Sequence, residues 1–426
     1  MRFWHIISVV KNILTRTKTR VNYLNMKFRG FTYALRPTAE QTVLFDRFAG
    51  VCRLVWNLAL DQRINHWRNF QATTGNNLNY VTQARELTKL RTEVDFVRAV
   101  HVSPQQRTLK ALDEAFRRAW RGLGGYPQFK RKGVNDAFSF AGREIRVEKI
   151  NRRWSRVRLP KIGWVKFRDT RPMQGTFFEA TVTRTALGWQ ISIGCKLPDA
   201  AKTAPGAVGI DRGVTVPLML SDGTSYIMPA SVAALDNIIR KAQRIASRRK
   251  RGSVRHAKAQ RRAAKLAARQ ARIRKHWAHT ATTDIARRYG TVVVERLRTK
   301  NMTASAAGTI DAPGRNVAQK RGLNRAILNV GWHQIETMLA YKAGSLIKVN
   351  PAYSSQTCGS CGAKDSRSRK NQARFVCTSC GHRDNADRNA AVVILNRGNT
   401  PGVEPCHQVG VEARTIQGLA LEIHIL

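Results

Sequence analysis

Acidic residues are scarce in this chain, and their scarcity limits the class of partner it can have. The 426 residues hold 27 Asp plus Glu against 75 Lys plus Arg, which gives a formal net charge of +48. A positive surplus of this size repels itself unless a polyanion compensates it. The 42% of hydrophobic residues excludes a disordered basic linker and predicts a globular protein. Because the basic residues lie in many separate segments, nucleic acid is favoured over a membrane surface as the partner.

Cysteines are few as well, and their spacing favours a metal site over a disulfide framework. Four of the seven form two C-x-x-C pairs, whereas Cys52, Cys195 and Cys406 stand singly. This usage is typical of a metal site in a reducing compartment. We therefore expect a cytoplasmic protein.

Long apolar runs are also missing from the first part of the sequence. The apolar patch at residues 3–10 is too short to cross a bilayer, and no small-residue cleavage site follows it. We expect no membrane partner. Residues 1–25 are interpreted as an atypical N-terminal extension, and Met26 is a second candidate for the start of the functional chain.

The first half of the chain combines a helical block with short strands. The sequence T-A-E-Q at Thr38 predicts a capping box, and Ser103 is predicted to cap a later helix. Residues 38–123 are therefore expected to be mostly helical. The segments on either side, residues 26–37 and 124–198, show the short alternating runs of an antiparallel sheet or barrel.

The second half has a different pattern. From residue 207 strands alternate with helices, which indicates an α/β sheet. This sheet is expected to use residues 207–352 and 384–397, with the cysteine segment, residues 353–383, inserted between them. Residues 398–426 are predicted to be a disordered tail.

The cysteine pairs stand in two near copies of one short turn, C-G-S-C-G and C-T-S-C-G. Cys358 and Cys361 form the first pair, and Cys377 and Cys380 form the second. Thiolates two positions apart on a tight turn can face one ion, and two such turns complete a tetrahedral zinc site. Four thiolates leave no open position, so this zinc is structural and His382 is not needed as a ligand. Two surface turns with free or redox-active cysteines are the alternative.

Three of the scarce carboxylates stand at the ends of predicted elements. Asp211 ends the run AVGI, Glu295 ends TVVVE, and Asp387 precedes a helix. Functional groups gather where the strands of an α/β sheet end, and three carboxylates there repel one another unless divalent cations separate them. Two Mg²⁺ ions about 4 Å apart can activate a water and stabilise the leaving oxygen of a phosphodiester. Alternatively, each acid is a turn former, a salt-bridged strand end or a helix cap.

A long basic stretch separates the first two of these carboxylates. Residues 240–275 hold 16 Lys or Arg, and no acidic residue lies between Asp236 and Asp284. The apolar spacing predicts a helical hairpin that turns near Gly252. The charges form either a solvated face or, as we favour, a contact with phosphates. In three segments, 126–132, 154–158 and 164–168, aromatic residues are interleaved with Lys and Arg. These aromatic side chains either form the core of the sheet or stack on nucleic-acid bases.

Several of these motifs together resemble those of one known family. They are G-I-D-R-G-V at 209–214, V-V-V-E-R-L at 292–297, S-S-Q-T-C-G-S-C-G at 354–362 and C-T-S-C-G-H-R-D-N-A-D-R-N-A-A at 377–391. The chain is similar to the TnpB proteins of insertion sequences, compact RNA-guided nucleases related to the type V CRISPR effectors. The resemblance covers most of residues 27–397 in the family's order.

The resemblance implies a multidomain α+β fold. It comprises an N-terminal β-barrel (wedge) interrupted by a helical recognition domain, then an RNase H-like (RuvC) α/β nuclease domain with the four-cysteine zinc module inserted. It also implies that Asp211, Glu295 and Asp387 bind catalytic Mg²⁺, with Asp387 preferred over Asp384 by the register of D-x-N-A-A. None of the three is substituted.

The implied activity is that of a transposon-encoded, RNA-guided, Mg²⁺-dependent DNA endonuclease. Its partners would be a guide RNA derived from the transposon end and a target DNA in the prokaryotic cytoplasm, at the nucleoid when DNA is bound. A non-catalytic zinc-ribbon regulator and an RNase H-like transposase are the rivals. The intact carboxylates disfavour the first, and the zinc module ahead of D-x-N-A-A disfavours the second.

Overall fold

The computed structural model describes residues 26–399 except 71–72, 74, 76–77, 199–203, 310 and 372. The expectations for residues 1–25, for residues 400–426 and for Cys406 lie outside the described residues. Two compact units divide the chain: the first contains the described residues up to 198, and the second contains those from 204 onward. Nowhere in these described residues is a helix both long enough and apolar enough to cross a membrane.

The first unit begins with a strand, continues with helices and ends with further strands. Its elements are β1 (Met26–Arg36), α1 (Ala39–Asn69), α2 (Tyr80–Glu93), α3 (Asp95–Ala99), α4 (Val102–Trp120), β2 (Ala137–Ala141), β3 (Arg146–Lys149), β4 (Trp154–Leu159), β5 (Gly163–Arg168), β6 (Thr176–Thr185) and β7 (Gly188–Pro198).

The starts of two helices test the predicted caps. At α1 the capping box is confirmed, because Thr38 Oγ1 accepts the N–H of Gln41 at 3.2 Å and Gln41 Oε1 accepts the N–H of Thr38 at 3.1 Å. At α4 the prediction is wrong. Ser103 lies inside the first turn and is buried, and the cap is His101, whose Nδ1 accepts the N–H of Ser103 at 3.3 Å.

The strands of the first unit form an open antiparallel sheet and not the predicted barrel. Their order is β2-β6-β7-β1-β5-β4-β3, and in the part of the chain described here the edge strands β2 and β3 do not pair with each other. The central strand β1 joins the two halves, since residues 26–34 pair with β7 and residues 35–36 pair with β5. Side-chain alternation is the same in a half-buried sheet and in a barrel, so it does not encode closure.

Helices α1 and α4 cover one face of this sheet. Phe45 and Phe48 of α1 contact the rings of Phe138 and Trp189, with centroids 5.1 to 5.5 Å apart. The opposite face of β4 and β5 carries the interleaved aromatics. There the Arg156 guanidinium lies 4.4 Å from the ring centroid of the half-buried Trp164.

The second unit alternates strands and helices, as predicted. Its elements are β8 (Ala207–Asp211), β9 (Leu218–Leu220), β10 (Ser225–Tyr226), α5 (Ala230–Ser247), α6 (Val254–Arg288), β11 (Thr291–Glu295), α7 (Thr299–Met302), α8 (Val317–Val330), α9 (Trp332–Lys342), β12 (Ser345–Val349), β13 (Arg374–Val376), β14 (Arg383–Asn385) and α10 (Ala386–Gly398). Helices α5 and α6 form the predicted hairpin, with Gly252 at a φ of +82° in its turn.

A five-stranded mixed sheet forms the centre of this unit. Its order is β10-β9-β8-β11-β12, with β8, β11 and β12 parallel and β9 antiparallel to β8. One face carries Val208 and Val292 and packs against residues of α6, α8 and α9. The other face carries Val293 and Ile347 and packs against Ile394 of α10. The sheet therefore lies between two helical layers, and α10 covers one of its faces.

Gly209 allows α10 to lie unusually close to the sheet. A Cβ atom at this position would stand 2.1 Å from the carbonyl oxygen of Ala391 and 2.7 Å from the backbone nitrogen of Leu395. Both neighbours are backbone atoms, which cannot rotate away. Gly209, the first glycine of the G-I-D-R-G motif, is thus required by the packing of α10 on the sheet.

We predict that Gly209→Ala destabilises the second unit by about 3 kcal/mol, because overpacking a close backbone contact displaces α10. Thermal melting of the purified protein measures the effect. Gly322→Ala in α8 is the matched control, since its Cβ would meet nothing within 4 Å and alanine favours a helix. Equal melting temperatures for the two variants would contradict the packing argument.

Candidate active site and zinc centre

Two of the predicted acids end neighbouring parallel strands. Ile210 of β8 pairs with Val294 of β11, so Asp211 and Glu295 are the next residue on each strand. Adjacent strands lie about 4.8 Å apart, and side chains at the same level of parallel strands point to the same face. Two residues before each acid stand Gly209 and Val293, which face α10. Strand alternation therefore places both carboxylates on the side of the sheet that α10 covers.

The third predicted acid, Asp387, lies in the first turn of α10. The cap of this helix is Asn385, whose Oδ1 accepts the N–H of Asp387 at 2.9 Å and that of Arg388 at 3.2 Å. Since Asn385 caps the helix, the carboxylate of Asp387 is left for another role. Asp384, the alternative acid, lies 3.5 Å from the Arg388 guanidinium.

The charges of the three acids interact. Burial, and then the negative charges of Glu295 and Asp387, raise the pKa of Asp211 to about 7, although the Arg369 guanidinium opposes this rise. Among the described residues, the cysteines alone bring three or more potential ligand atoms within 4.8 Å of one another, so the three carboxylates do not all lie within that distance. Such an arrangement can hold divalent cations through separate carboxylate oxygens.

Each of the other two carboxylates has a polar neighbour from the cysteine segment. Glu295 is buried, and its Oε1 accepts a hydrogen bond from Ser354 Oγ at 2.5 Å. Burial raises the pKa of Glu295, against the opposing effects of the Ser354 hydrogen bond and the Arg212 charge. Asp387 Oδ1 lies 3.3 Å from Nη2 of Arg369.

A buried ionic network fixes the strand ends beneath the acids. The Arg212 side chain is 2% exposed; it donates to the backbone carbonyl of Glu295, and its Nη1 lies 3.1 Å from Glu336 Oε2. Lys348 of β12 binds the other oxygen of Glu336. The residue after β8, the end of β11 and a residue of β12 are thus tied to α9.

Sequence reasoning gave these neighbours no role. Ser354 and Arg212 lie within the quoted motifs S-S-Q and G-I-D-R-G, so their positions carried a signal. Glu336, Lys348 and Arg369 stand in ordinary helix, strand and loop sequence, and only the fold brings them to the acids.

The four cysteines converge on one point, as predicted. Sγ of Cys358 lies 3.8 Å from that of Cys380, Sγ of Cys361 lies 3.6 Å from that of Cys377, and all four lie within 4.8 Å of one another. Tetrahedral zinc with Zn–S bonds of about 2.3 Å separates its sulfurs by about 3.8 Å. The sulfur positions therefore fit a zinc ion.

The backbone of each turn supports this metal geometry. Gly362 and Gly381, which follow the two pairs, have φ values of +75° and +73°, where glycine is favoured. The N–H groups of Cys380 and Ser379 point at Sγ of Cys377, at 3.5 and 3.4 Å. The hydrogen bond from the N–H of Cys380, together with that from Ser379, lowers the pKa of the Cys377 thiol to about 6. A lower pKa favours the thiolate, which is the form that binds metal.

The first cysteine turn is fastened directly to α10. The side chain of Asn389 is fully buried; its Oδ1 accepts the N–H of Gly359 at 2.8 Å, and its Nδ2 donates to the carbonyl of Thr357 at 2.8 Å. Asn389 lies two residues after Asp387. The metal module and the helix that carries the third acid therefore share one hydrogen-bond network.

Three family models match the chain. A probable transposase model matches residues 191–306, a Cas12f1-like TNB domain model matches residues 332–394, and a helix-turn-helix domain model matches residues 26–71. In the structure this last region is strand β1 followed by the long helix α1, without a turn between two helices.

Two curated relatives match over most of their length. The putative RNA-guided DNA endonuclease InsQ of Escherichia coli (strain K12) is 36% identical over 383 residues, which cover 88% of this chain and 93% of the relative. A putative RNA-guided DNA endonuclease of Streptomyces pristinaespiralis is 30% identical over 393 residues, which cover 87% and 89%.

A solved structure shows a similar fold. The cryo-EM structure of the Cas12f1–sgRNA–target DNA complex matches with a TM-score of 0.50 and 14% identity, over 89% of this chain and 100% of that chain. With the motifs and the curated relatives, these matches define a class of compact transposon- and CRISPR-associated proteins. Within it, the chain belongs to the TnpB family.

We predict that Cys377→Ser removes the zinc and destabilises its module, because a serine hydroxyl is a poor ligand for an ion held by thiolates. Zinc content by mass spectrometry should fall from about one ion per chain toward zero, with a lower melting temperature. Ser379→Ala in the same turn is the control and should keep the metal. A stably folded, zinc-free Cys377→Ser protein would contradict the structural role.

The raised pKa of Asp211 predicts a dependence of stability on pH. A folded-state pKa of about 7 against an ordinary value of 3.8 means that folding favours the protonated carboxyl. Its contribution is present below about pH 4 and is lost as the pH rises to about 7, by an amount on the order of 4 kcal/mol. In zinc-loaded protein without Mg²⁺ at pH 8, Asp211→Asn should therefore melt at a higher temperature than the wild type.

Added Mg²⁺ should raise the melting temperature of the wild type and leave that of Asp211→Asn nearly unchanged. The difference between the two proteins without Mg²⁺ should shrink as the pH is lowered toward 4. An Asp211→Asn protein less stable than the wild type at pH 8 would refute the predicted repulsion.

Proposed function

We propose that this chain is an RNA-guided, Mg²⁺-dependent DNA endonuclease encoded by a transposon. The observation that carries the proposal is the convergence of three acids at adjacent element ends, where burial, and then the charges of Glu295 and Asp387, raise the pKa of Asp211 to about 7. Divalent cations bound between the three carboxylates would relieve the repulsion among them. Relatives named as RNA-guided DNA endonucleases support the same activity.

In this proposal Asp211, Glu295 and Asp387 hold two Mg²⁺ ions. When bound, the ions supply an activated water and stabilise the leaving oxygen of the phosphodiester. Ser354 orients the Glu295 carboxylate through its hydrogen bond, and Arg369 partly neutralises Asp387. These two neighbours limit the rotation of the carboxylates before substrate arrives.

The domains have corresponding roles. The mixed sheet with its two helical layers supports an RNase H-like (RuvC) nuclease domain, and the open antiparallel sheet with its helices supports wedge and recognition functions. The proposed extents are wedge 26–37 and 124–198, recognition 38–123, nuclease 207–352 and 384–397, and zinc module 353–383.

The partners in this proposal are a guide RNA from the transposon end and a DNA target. Pairing with the guide supplies the sequence choice, while the protein reads a short flanking motif and the shape of the duplex. The similar Cas12f1 structure was solved with sgRNA and target DNA. A net charge of +48 is suited to holding both polyanions.

We predict that Asp211→Ala and Asp387→Ala each lower DNA cleavage at least about 1,000-fold, since each removes a ligand that acts in the transition state. Both variants should keep wild-type affinity for the copurifying RNA. Cleavage of a plasmid that carries the sequence matching this RNA measures the first effect, and filter binding measures the second. Asp384→Asn is the comparison variant and should keep cutting.

Other outcomes would decide against the proposal. Full cutting by Asp211→Ala or Asp387→Ala would refute the assignment of the acids, and loss of cutting only in Asp384→Asn would move the site to Asp384. Joining of transposon ends without RNA would favour a transposase, the activity that the name of one matching family model suggests.

A further inference from the structure

The two parallel strands that carry Asp211 and Glu295 part at the level of these acids. Within the described part of the sheet, the backbone pairing of β8 with β11 ends at Ile210 and Val294. On their outer sides the strands stay paired one residue further, β8 with β9 through Asp211 and β11 with β12 through Glu295. The hydrogen-bond ladder is therefore open in the middle of the sheet, between the first two acids.

The backbone carbonyl of Glu295 points into this opening. The N–H of Arg296 donates to the carbonyl of Val349 on β12 at 2.8 Å, and the N–H and C=O of a trans peptide point in opposite directions. The Glu295 carbonyl, which belongs to the same peptide, therefore faces β8. It accepts hydrogen bonds from the guanidinium of Arg212, the residue after β8, and from the N–H of Leu297 at 3.1 Å. A side chain thus bridges the two strands where their ladder has ended.

Arg212 is itself held from α9. Its side chain is 2% exposed, and its Nη1 lies 3.1 Å from Oε2 of Glu336, whose other oxygen is bound by Lys348. The carbonyl of the next residue, Gly213, accepts a hydrogen bond from the indole N–H of the buried Trp332 at 3.4 Å. Because Glu336 and Trp332 both belong to α9, the guanidinium and the backbone beside it have a fixed anchor. The bridge therefore sets how far apart the two strand ends stand.

Fold stability alone does not account for this buried cation. Among the described residues, Nε of Arg212 is buried and finds no acceptor, and an unpaired buried N–H lowers the stability of a fold. A buried ion pair is itself rarely more stabilising than an apolar pair of similar volume. An arginine that is kept here at such a cost indicates a role in the site beside it.

We propose that Arg212 is a positioning residue for the proposed Mg²⁺ site, an inference that rests on the proposed function. It bridges the open ladder between β8 and β11 and so sets the spacing of the Asp211 and Glu295 carboxylates before the ions bind. A guanidinium has no acceptor atom for a cation, so Arg212 acts through the backbone of Glu295 and not as a ligand. Replacement of groups that orient metal ligands typically weakens metal binding about 10- to 100-fold.

Two variants that preserve the net charge of this network test the proposal. Arg212→Lys keeps the cation but loses the planar fork that reaches two acceptors at once. The double variant, Arg212→Met with Glu336→Gln, removes one charge of each sign. The control is Arg63→Lys in the first unit, where Nη2 of Arg63 lies 3.0 Å from Oδ1 of Asp113 and the arginine side chain is 6% exposed. It removes a comparable buried arginine far along the chain from the acids.

Binding of Mn²⁺, which takes the same oxygen ligands as Mg²⁺, is followed on the zinc-loaded full chain by electron paramagnetic resonance at pH 8. Binding that persists in Asp211→Asn lies elsewhere and is subtracted. Both Arg212 variants should bind Mn²⁺ at least about tenfold more weakly than the wild type, because the Glu295 carboxylate is no longer held at its distance from Asp211. The spin coupling between two bound ions should change as well. Arg63→Lys should lower the melting temperature and leave both Mn²⁺ readouts as in the wild type.

Wild-type affinity and spin coupling in Arg212→Lys would overturn the proposal, because the site would then need the charge of residue 212 and not its bridge. Equal weakening in Arg63→Lys would also overturn it, since a general loss of stability would explain the effect. In both cases the endonuclease proposal stands. If the wild type binds no more Mn²⁺ than Asp211→Asn does, the Mg²⁺-dependent endonuclease proposal fails, and the role of Arg212 fails with it.

Discussion

The close contact between helix α10 and the central sheet is the constraint on which the candidate active site depends. Gly209 leaves room for the backbone of α10, and the helix then brings Asp387 to the side of the sheet where Asp211 and Glu295 end. A bulkier residue at position 209 would move one acid away from the other two. Packing and electrostatics are thus opposed here: backbone contact forces together charges that repel one another.

Polar and cationic side chains around the three acids partly offset the repulsion among them. The buried Arg212 holds the end of β11 through a backbone carbonyl, and Ser354 and Arg369 approach from the cysteine segment. These groups are buried or half-buried around the acids. They do not cancel the effects of burial and of the neighbouring acids, because the pKa of Asp211 stays raised to about 7.

Much of this could be predicted from sequence, and the failures have physical causes. The cysteine cluster, the alternation of strands and helices, the hairpin at Gly252 and the cap at Thr38 depend on local spacing, which sequence displays directly. Closure of the first sheet into a barrel depends on whether its two edge strands pair with each other. The alternation of buried and exposed side chains along a strand does not encode that pairing. The choice of His101 over Ser103 as a cap depends on burial of the serine, a tertiary effect. The contacts of Arg212 join residues more than 80 positions apart.

The fastening of the first cysteine turn to α10 by Asn389 has a consequence for how the protein matures. A chain without its metal would lose the fixed turn that Asn389 binds, so the start of that helix, which carries the third acid, would be held less firmly even though all three carboxylates are present. If the acids act as proposed, filling of the thiolate site would have to precede competence for cutting. The supply of zinc would then limit a reaction in which zinc takes no chemical part.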